Sequence, residues 1–174
     1  MNAESAEHLY LAEQLTALER CAYFALLVDG KVTWPLTVAA LREHRLDGDW
    51  FEPLAALNER FAKLQDVLGS VMRHTAFMLA EPAPTFLSVL VFFEKHRVIT
   101  SVAQWHRVRK MRNQAAHDYD LQPAVTAAHF NQIHAELPEL VQIAARLVSF
   151  CQQWLDCRPL DTELHEVLER ALRA

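Results

Sequence analysis

A chain of 174 residues, 52% of them hydrophobic, suffices for one domain with a sizeable core. Only three glycines, and a composition led by leucine, alanine, glutamate and arginine, argue for helices and against a sheet protein. A net charge of −5 is unlike a generally basic nucleic-acid binder, and no apolar run reaches the roughly 18 residues that span a bilayer.

The start, "MNAESAEHLY", carries acids where a signal peptide would carry basic residues. The expectation is a soluble cytoplasmic protein with no membrane contact. A first helix is expected from about Glu4 to Val28, because Leu11, Leu15, Leu18, Ala22 and Ala25 alternate at steps of four and three. Asp29-Gly30 should end it with a left-handed cap at the glycine. Lys31 to Trp50 is irregular, with room for a short helix between Leu36 and Arg45.

A second long helix is expected from Pro53 to Leu79. Leu54, Leu57, Phe61, Leu64, Leu68, Val71, Thr75 and Met78 form its bundle-type seam. Gly69 inside it costs about 1 kcal/mol against alanine, which a close crossing would explain. "EPAP" then breaks the chain. A third helix, Thr85 to His96, is apolar almost all round and should be central. A fourth, capped by Thr100 or Ser101, should reach about His117.

The fifth, from Pro123 to about Trp154, has a seam of Ile133, Leu137, Leu140, Ala144, Leu147, Cys151 and Trp154. Pro138 should kink or restart it. After Cys157–Pro159 comes a short amphipathic tail. The fold class is therefore all-α, an up-and-down bundle of about five main helices. The three cysteines, Cys21, Cys151 and Cys157, show no CxxC spacing and read as small buried hydrophobes in a reducing compartment.

The charge is uneven. Six of the 17 Lys and Arg fall between Lys95 and His117, a window with none of the 22 acids. This is either a solvated helix face or a local anion site. At its end stands "RKMRNQAAHDYD", Arg109 to Asp120. On a helical wheel Val108, Met111 and Ala115 share the core face, with Arg112 and Tyr119 at its edge. His106, Lys110, Asn113 and His117 form a polar stripe. On an unbroken helix Arg112 and His117 point about 140° apart. Either the helix unwinds, or two chains bring their copies into one cleft across a twofold axis.

Arginine suits phosphate through its planar fork, and histidine suits proton transfer with an unperturbed pKa of about 6.5. Together they suffice to cut RNA without metal. His117 would take the 2′-hydroxyl proton, and Arg112 would stabilise the crowded phosphate. Asn113 would orient the phosphate or the histidine, beside Arg109 and Lys110 as RNA-binding cations. The plainer reading pairs Arg112 with a carboxylate and makes His117 a helix-end cap. His129 and His134 are five apart rather than four, and there is no P-loop, GxGxxG or nucleophile elbow, so neither metal nor cofactor is expected. Trp34, Trp50, Trp105 and Trp154 are scattered and read as packing residues.

"RNQAAHDY" resembles the Arg-x4-His-x-Tyr signature of the HEPN superfamily, particularly its HepT-like toxins. Arg112, His117 and Tyr119 match the signature, and Asn113 matches the polar residue that commonly follows the arginine. "RFAKLQDVLG", Arg60–Gly69, and the W-x3-R-x2-RN pattern of Trp105–Asn113 are similar to chains of this group. The resemblance covers roughly Leu54 to Asp120 and implies a HEPN-like bundle, read here as a single domain over residues 1–157 with a helical tail over 158–174; Lys31–Trp50 and that tail lie outside the resemblance and have no assigned role. It implies a homodimer with the motif at the interface, and metal-independent ribonuclease activity in many members. It also implies a minimal nucleotidyltransferase antitoxin, which can add AMP to the motif tyrosine, here Tyr119. Other relatives are non-catalytic modules that dock the nucleotidyltransferase, which is the alternative reading.

Overall fold

The computed structural model describes residues 3–115 and 122–173, with side chains for 5–112 and 122–173. Seven helices are present and no strand among the described residues: α1 (Ala3–Asp29), α2 (Val38–Glu43), α3 (Gly48–Met78), α4 (Phe86–Lys95), α5 (Val102–Ala115), α6 (Pro123–Leu155) and α7 (Thr162–Arg173).

Side-chain pairs fix the directions of the long helices. Glu7 meets His74 near one end of α1, and Arg60 lies over Phe24 near the other, so α1 and α3 are antiparallel. His8 reaches the Leu155 carbonyl while Asp29 meets His134, so α1 and α6 are antiparallel too. Thr100 bonds Glu139 and Gln104 bonds Glu136, which sets α5 antiparallel to α6. In chain order α1, α3, α5 and α6 therefore alternate up and down around one core.

The seams read from the sequence are that core. Leu11, Leu15, Leu18, Ala22 and Ala25 are buried in α1, and Leu54, Leu57, Phe61, Leu64, Leu68 and Val71 in α3. The polar member of the α3 seam, Thr75, is buried with its hydroxyl 3.4 Å from Cys151 Sγ. Apolar burial at about 25 cal/mol per Å² is what holds such helices together. Cys151 and Cys157 are buried and Cys21 half-buried, all unpaired. Burial pushes the Cys151 thiol up to about 12.

Several boundaries differ from the expectation. α3 begins five residues before Pro53, because Asp47 caps it by accepting from the Trp50 N–H at 3.0 Å. That hydrogen bond, with His44 beside it, holds the Asp47 carboxyl below its usual range. Gly30 is not left-handed. The end of α1 is closed instead by the Gly30 N–H to Leu26 O, the Lys31 N–H to Val28 O, and the Trp34 indole N–H donating to the Asp29 carbonyl. α6 continues through Pro138 as one helix and does not restart there. A proline removes one helical bond, and the many buried side chains of α6 outweigh that loss. Trp154, expected in the seam, is half exposed and stacks on Phe150.

The irregular segment Lys31–Trp50 and the tail after Cys157 both pack onto the bundle. Leu36 exchanges two backbone hydrogen bonds with the Asn131 amide of α6, and Leu36 and Leu41 are buried. The tail docks on α1: His165 Nδ1 meets the buried Glu19 at 2.5 Å, and Leu168 joins the core. No helix among the described residues is long and apolar enough to cross a membrane.

Candidate anion-binding cleft between α3 and α5

The start of α5 is fixed twice. Ser101 Oγ accepts from the Gln104 N–H at 3.0 Å, so Ser101 is the cap, and Glu94 accepts from the Val102 N–H at 3.0 Å. Val108 and Met111 then turn into the core as the wheel predicts. The side chain of Ala115 lies outside the description.

A third face of α5 carries the site. Trp105, Arg109 and Arg112 succeed one another at steps of four and three and look across at α3. With Gln65, Asp66, Gly69, Ser70 and Arg73 of α3, and Phe86 at the start of α4, they line a cleft of about 170 Å³. The two stretches that carry the wider resemblance, Arg60–Gly69 and Trp105–Asn113, thus face each other across it.

At Gly69 two aromatic rings come close to the α3 backbone. A Cβ there would lie 3.3 Å from Phe86 Cζ and 3.7 Å from Trp105 Cζ2. The close crossing expected at Gly69 is therefore the approach of two aromatic rings. Arg73 lies over the Phe86 ring at 5.0 Å from its centroid, a cation–π contact that holds the guanidinium at the rim.

Arg112 Nη2 donates to Asp66 Oδ2 at 2.6 Å, with both side chains partly exposed. The plainer reading of the arginine, a carboxylate pair, is realised here. Arg109 and Arg73 have no carboxylate partner among the described residues. Deeper in, Gln65 and Trp105 are each only 3% exposed, yet Gln65 Oε1 and Nε2 and Trp105 Nε1 have no hydrogen-bond partner among the described residues. A buried polar group left unpaired costs about 1–3 kcal/mol, so these atoms are expensive to maintain without a ligand or water.

The remaining members of the basic window disperse. Arg107 turns to Glu136 of α6 at 3.5 Å, and His106 and Lys110 are exposed away from the cleft. Lys95 and Arg97 lie at and beyond the end of α4. Of the site residues expected from sequence, Arg109 and Arg112 are brought together and Lys110 does not line the cleft. The side chain of Asn113, and His117 and Tyr119 altogether, lie outside the described residues. Gln65, Asp66 and Arg73 were not singled out as site residues from the sequence; Gln65 and Asp66 lie within the quoted Arg60–Gly69 stretch, and Asp66, Gly69 and Arg73 follow one another at steps of three and four beside the apolar seam. Among the described residues no three His, Cys, Asp or Glu side chains gather to hold a metal.

No family model matches this chain, and no match emerges among curated proteins or solved structures.

Proposed function

We propose that this chain is a metal-independent RNA endonuclease of the HEPN kind, a cytoplasmic toxin neutralised by a nucleotidyltransferase-type antitoxin. The observation that supports the reading is the convergence on one cleft of Arg109 and Arg112, on the helix that leads in sequence to His117, with Arg73 of α3. In the reaction His117 takes the proton of a ribose 2′-hydroxyl. The 2′-oxygen bonds the adjacent phosphorus, the bond to the 5′-oxygen breaks, and that oxygen leaves with a proton taken from water. One product ends in a cyclic phosphate, and Arg112 stabilises the charge gathering on phosphorus. The active form is a homodimer that pools both copies of the motif. Transfer of AMP from ATP to the Tyr119 hydroxyl, with pyrophosphate leaving, silences it by adding a phosphate that competes with RNA for the arginines.

The test is RNA cleavage by the purified chain in EDTA. Arg112→Ala and His117→Ala should each abolish it with folding intact, and light scattering should give a dimer. Co-expression with the antitoxin should add one AMP mass or more, lost in Tyr119→Phe. A second reading, a non-catalytic module that docks a nucleotidyltransferase or its substrate, is favoured by the Asp66–Arg112 pair, which occupies the arginine. A wild type that cuts no RNA, or variants that cut normally, would put that reading first.

A further inference from the structure

The cleft contains more donors than the proposed strand scission uses. Arg73 and Arg109 stand at its edge, while the Gln65 amide and the Trp105 indole N–H are buried in its wall without partners among the described residues. Trp105 Cζ2, two bonds from Nε1, is the edge of the indole that faces Gly69. Three guanidiniums against the single carboxylate of Asp66 leave two positive charges uncompensated in the lining.

The geometry points to a subsite for one phosphate dianion, supplied either as free phosphate or as the terminal phosphate monoester of a nucleotide or RNA strand. Charge, size and donor type agree on this ligand. A monoester near neutral pH carries close to two negative charges, matching the lining, whereas a bridging diester carries one. About 170 Å³ is well under the roughly 300–1,000 Å³ of sites that enclose a drug-sized molecule, so the cleft takes a phosphoryl group and leaves the rest of the ligand outside. Guanidinium forks fit phosphate oxygens bidentately, and the neutral N–H donors of Gln65 and Trp105 complete the shell from the buried side. Gly69 keeps the approach open. The terminal phosphate of an RNA strand as the source rests on the ribonuclease reading; phosphate binding itself does not.

Calorimetric titration of the full-length chain tests this, first with inorganic phosphate and then with one short RNA bearing a 5′-phosphate, a 3′-phosphate or hydroxyls at both ends. Inorganic phosphate should bind once per chain. Arg73→Gln, at an exposed position, and Gln65→Met, of similar volume, should each weaken binding at least tenfold. If the source is RNA, one phosphate-ended strand should bind at least tenfold more tightly than the hydroxyl-ended strand, and Arg73→Gln should erase the preference. Phosphate binding without any end preference assigns the subsite to free phosphate. No phosphate binding, or binding unmoved by both variants, overturns the subsite. RNA cutting measured on the same samples separates the two ideas. A chain that binds phosphate but cuts nothing keeps the subsite and loses the ribonuclease. A chain that cuts RNA and ignores phosphate does the reverse.

Discussion

Asp66→Ala separates a clasp on Arg112 from a structural strut. The contact is short, 2.6 Å between Nη2 and Oδ2, but the Asp66 side chain is 52% exposed and that of Arg112 30%. Pairs in that setting contribute about 0.2–1 kcal/mol, because solvent screens them and two side chains must be held still. Good geometry puts this pair near 1 kcal/mol. In a domain of this size such a loss lowers Tm by about 2–4 °C. Circular-dichroism melts of the wild type, Asp66→Ala, Arg112→Ala and the double variant should return that coupling. It should shrink in about 1 M salt, where the Debye length falls to about 3 Å. Removing the carboxylate also frees a guanidinium facing the cleft, so phosphate affinity should rise severalfold in Asp66→Ala. A drop of about 10 °C or more that salt does not touch would refute this reasoning. The pair would then be part of the scaffold, and Arg112 would be committed to it.

Gly69→Ala should change stability by no more than about 1 kcal/mol, in the stabilising direction. The helix gains from alanine, and the 3.3 Å approach to Phe86 Cζ needs only a small shift of a half-buried ring; a calorimetric loss above about 2 kcal/mol would mean that the ring cannot move. Burial raises the Glu19 carboxyl above its ordinary 4.5, with the His165 hydrogen bond and charge opposing the shift. Folded Glu19 thus holds its proton more tightly than the unfolded chain does, and that stabilisation is complete below pH 4.5 and is lost as pH rises through the folded value. Glu19→Gln, measured by denaturant unfolding, should therefore compare more favourably with the wild type at pH 7 than at pH 4, and equal differences at the two pH values would refute the assignment.

The bundle was legible because its signal is periodic. Leu54 to Val71 and Ile133 to Cys151 repeat at the spacing a buried stripe requires, and each residue on those stripes is buried. Ends were harder, since they depend on single bonds. Asp47 starts α3 with a side-chain cap that outranks the helix-start signal of Pro53, and the Trp34 indole helps close α1 where a left-handed glycine was expected. Trp154 continues the α6 spacing but sits past the last layer of the core, so its ring meets Phe150 and solvent. The cleft was half legible. Arg109 and Arg112 stood out by charge, yet Arg109 belongs to neither stripe of the wheel. Its face acquires meaning only from Gln65, Asp66 and Gly69 on α3, and neither helix's own periodicity encodes that pairing. The charge window also misled in one respect: proximity in sequence scattered Arg107 and Lys110 to other sides of α5.

The two walls of the cleft are unequally anchored. Within its described side chains α5 buries Trp105, Val108 and Met111, whereas α3 buries residues from Leu54 to Ala76. Displacing α5 therefore exposes less apolar surface than displacing α3, and α5 is the less firmly held wall. An anion held by both Arg73 and Arg109 would tie α5 to α3, and its binding free energy would add to the hold between the two helices. The coupling is reciprocal: whatever tightens α5 against α3 also strengthens the cleft's hold on such an anion.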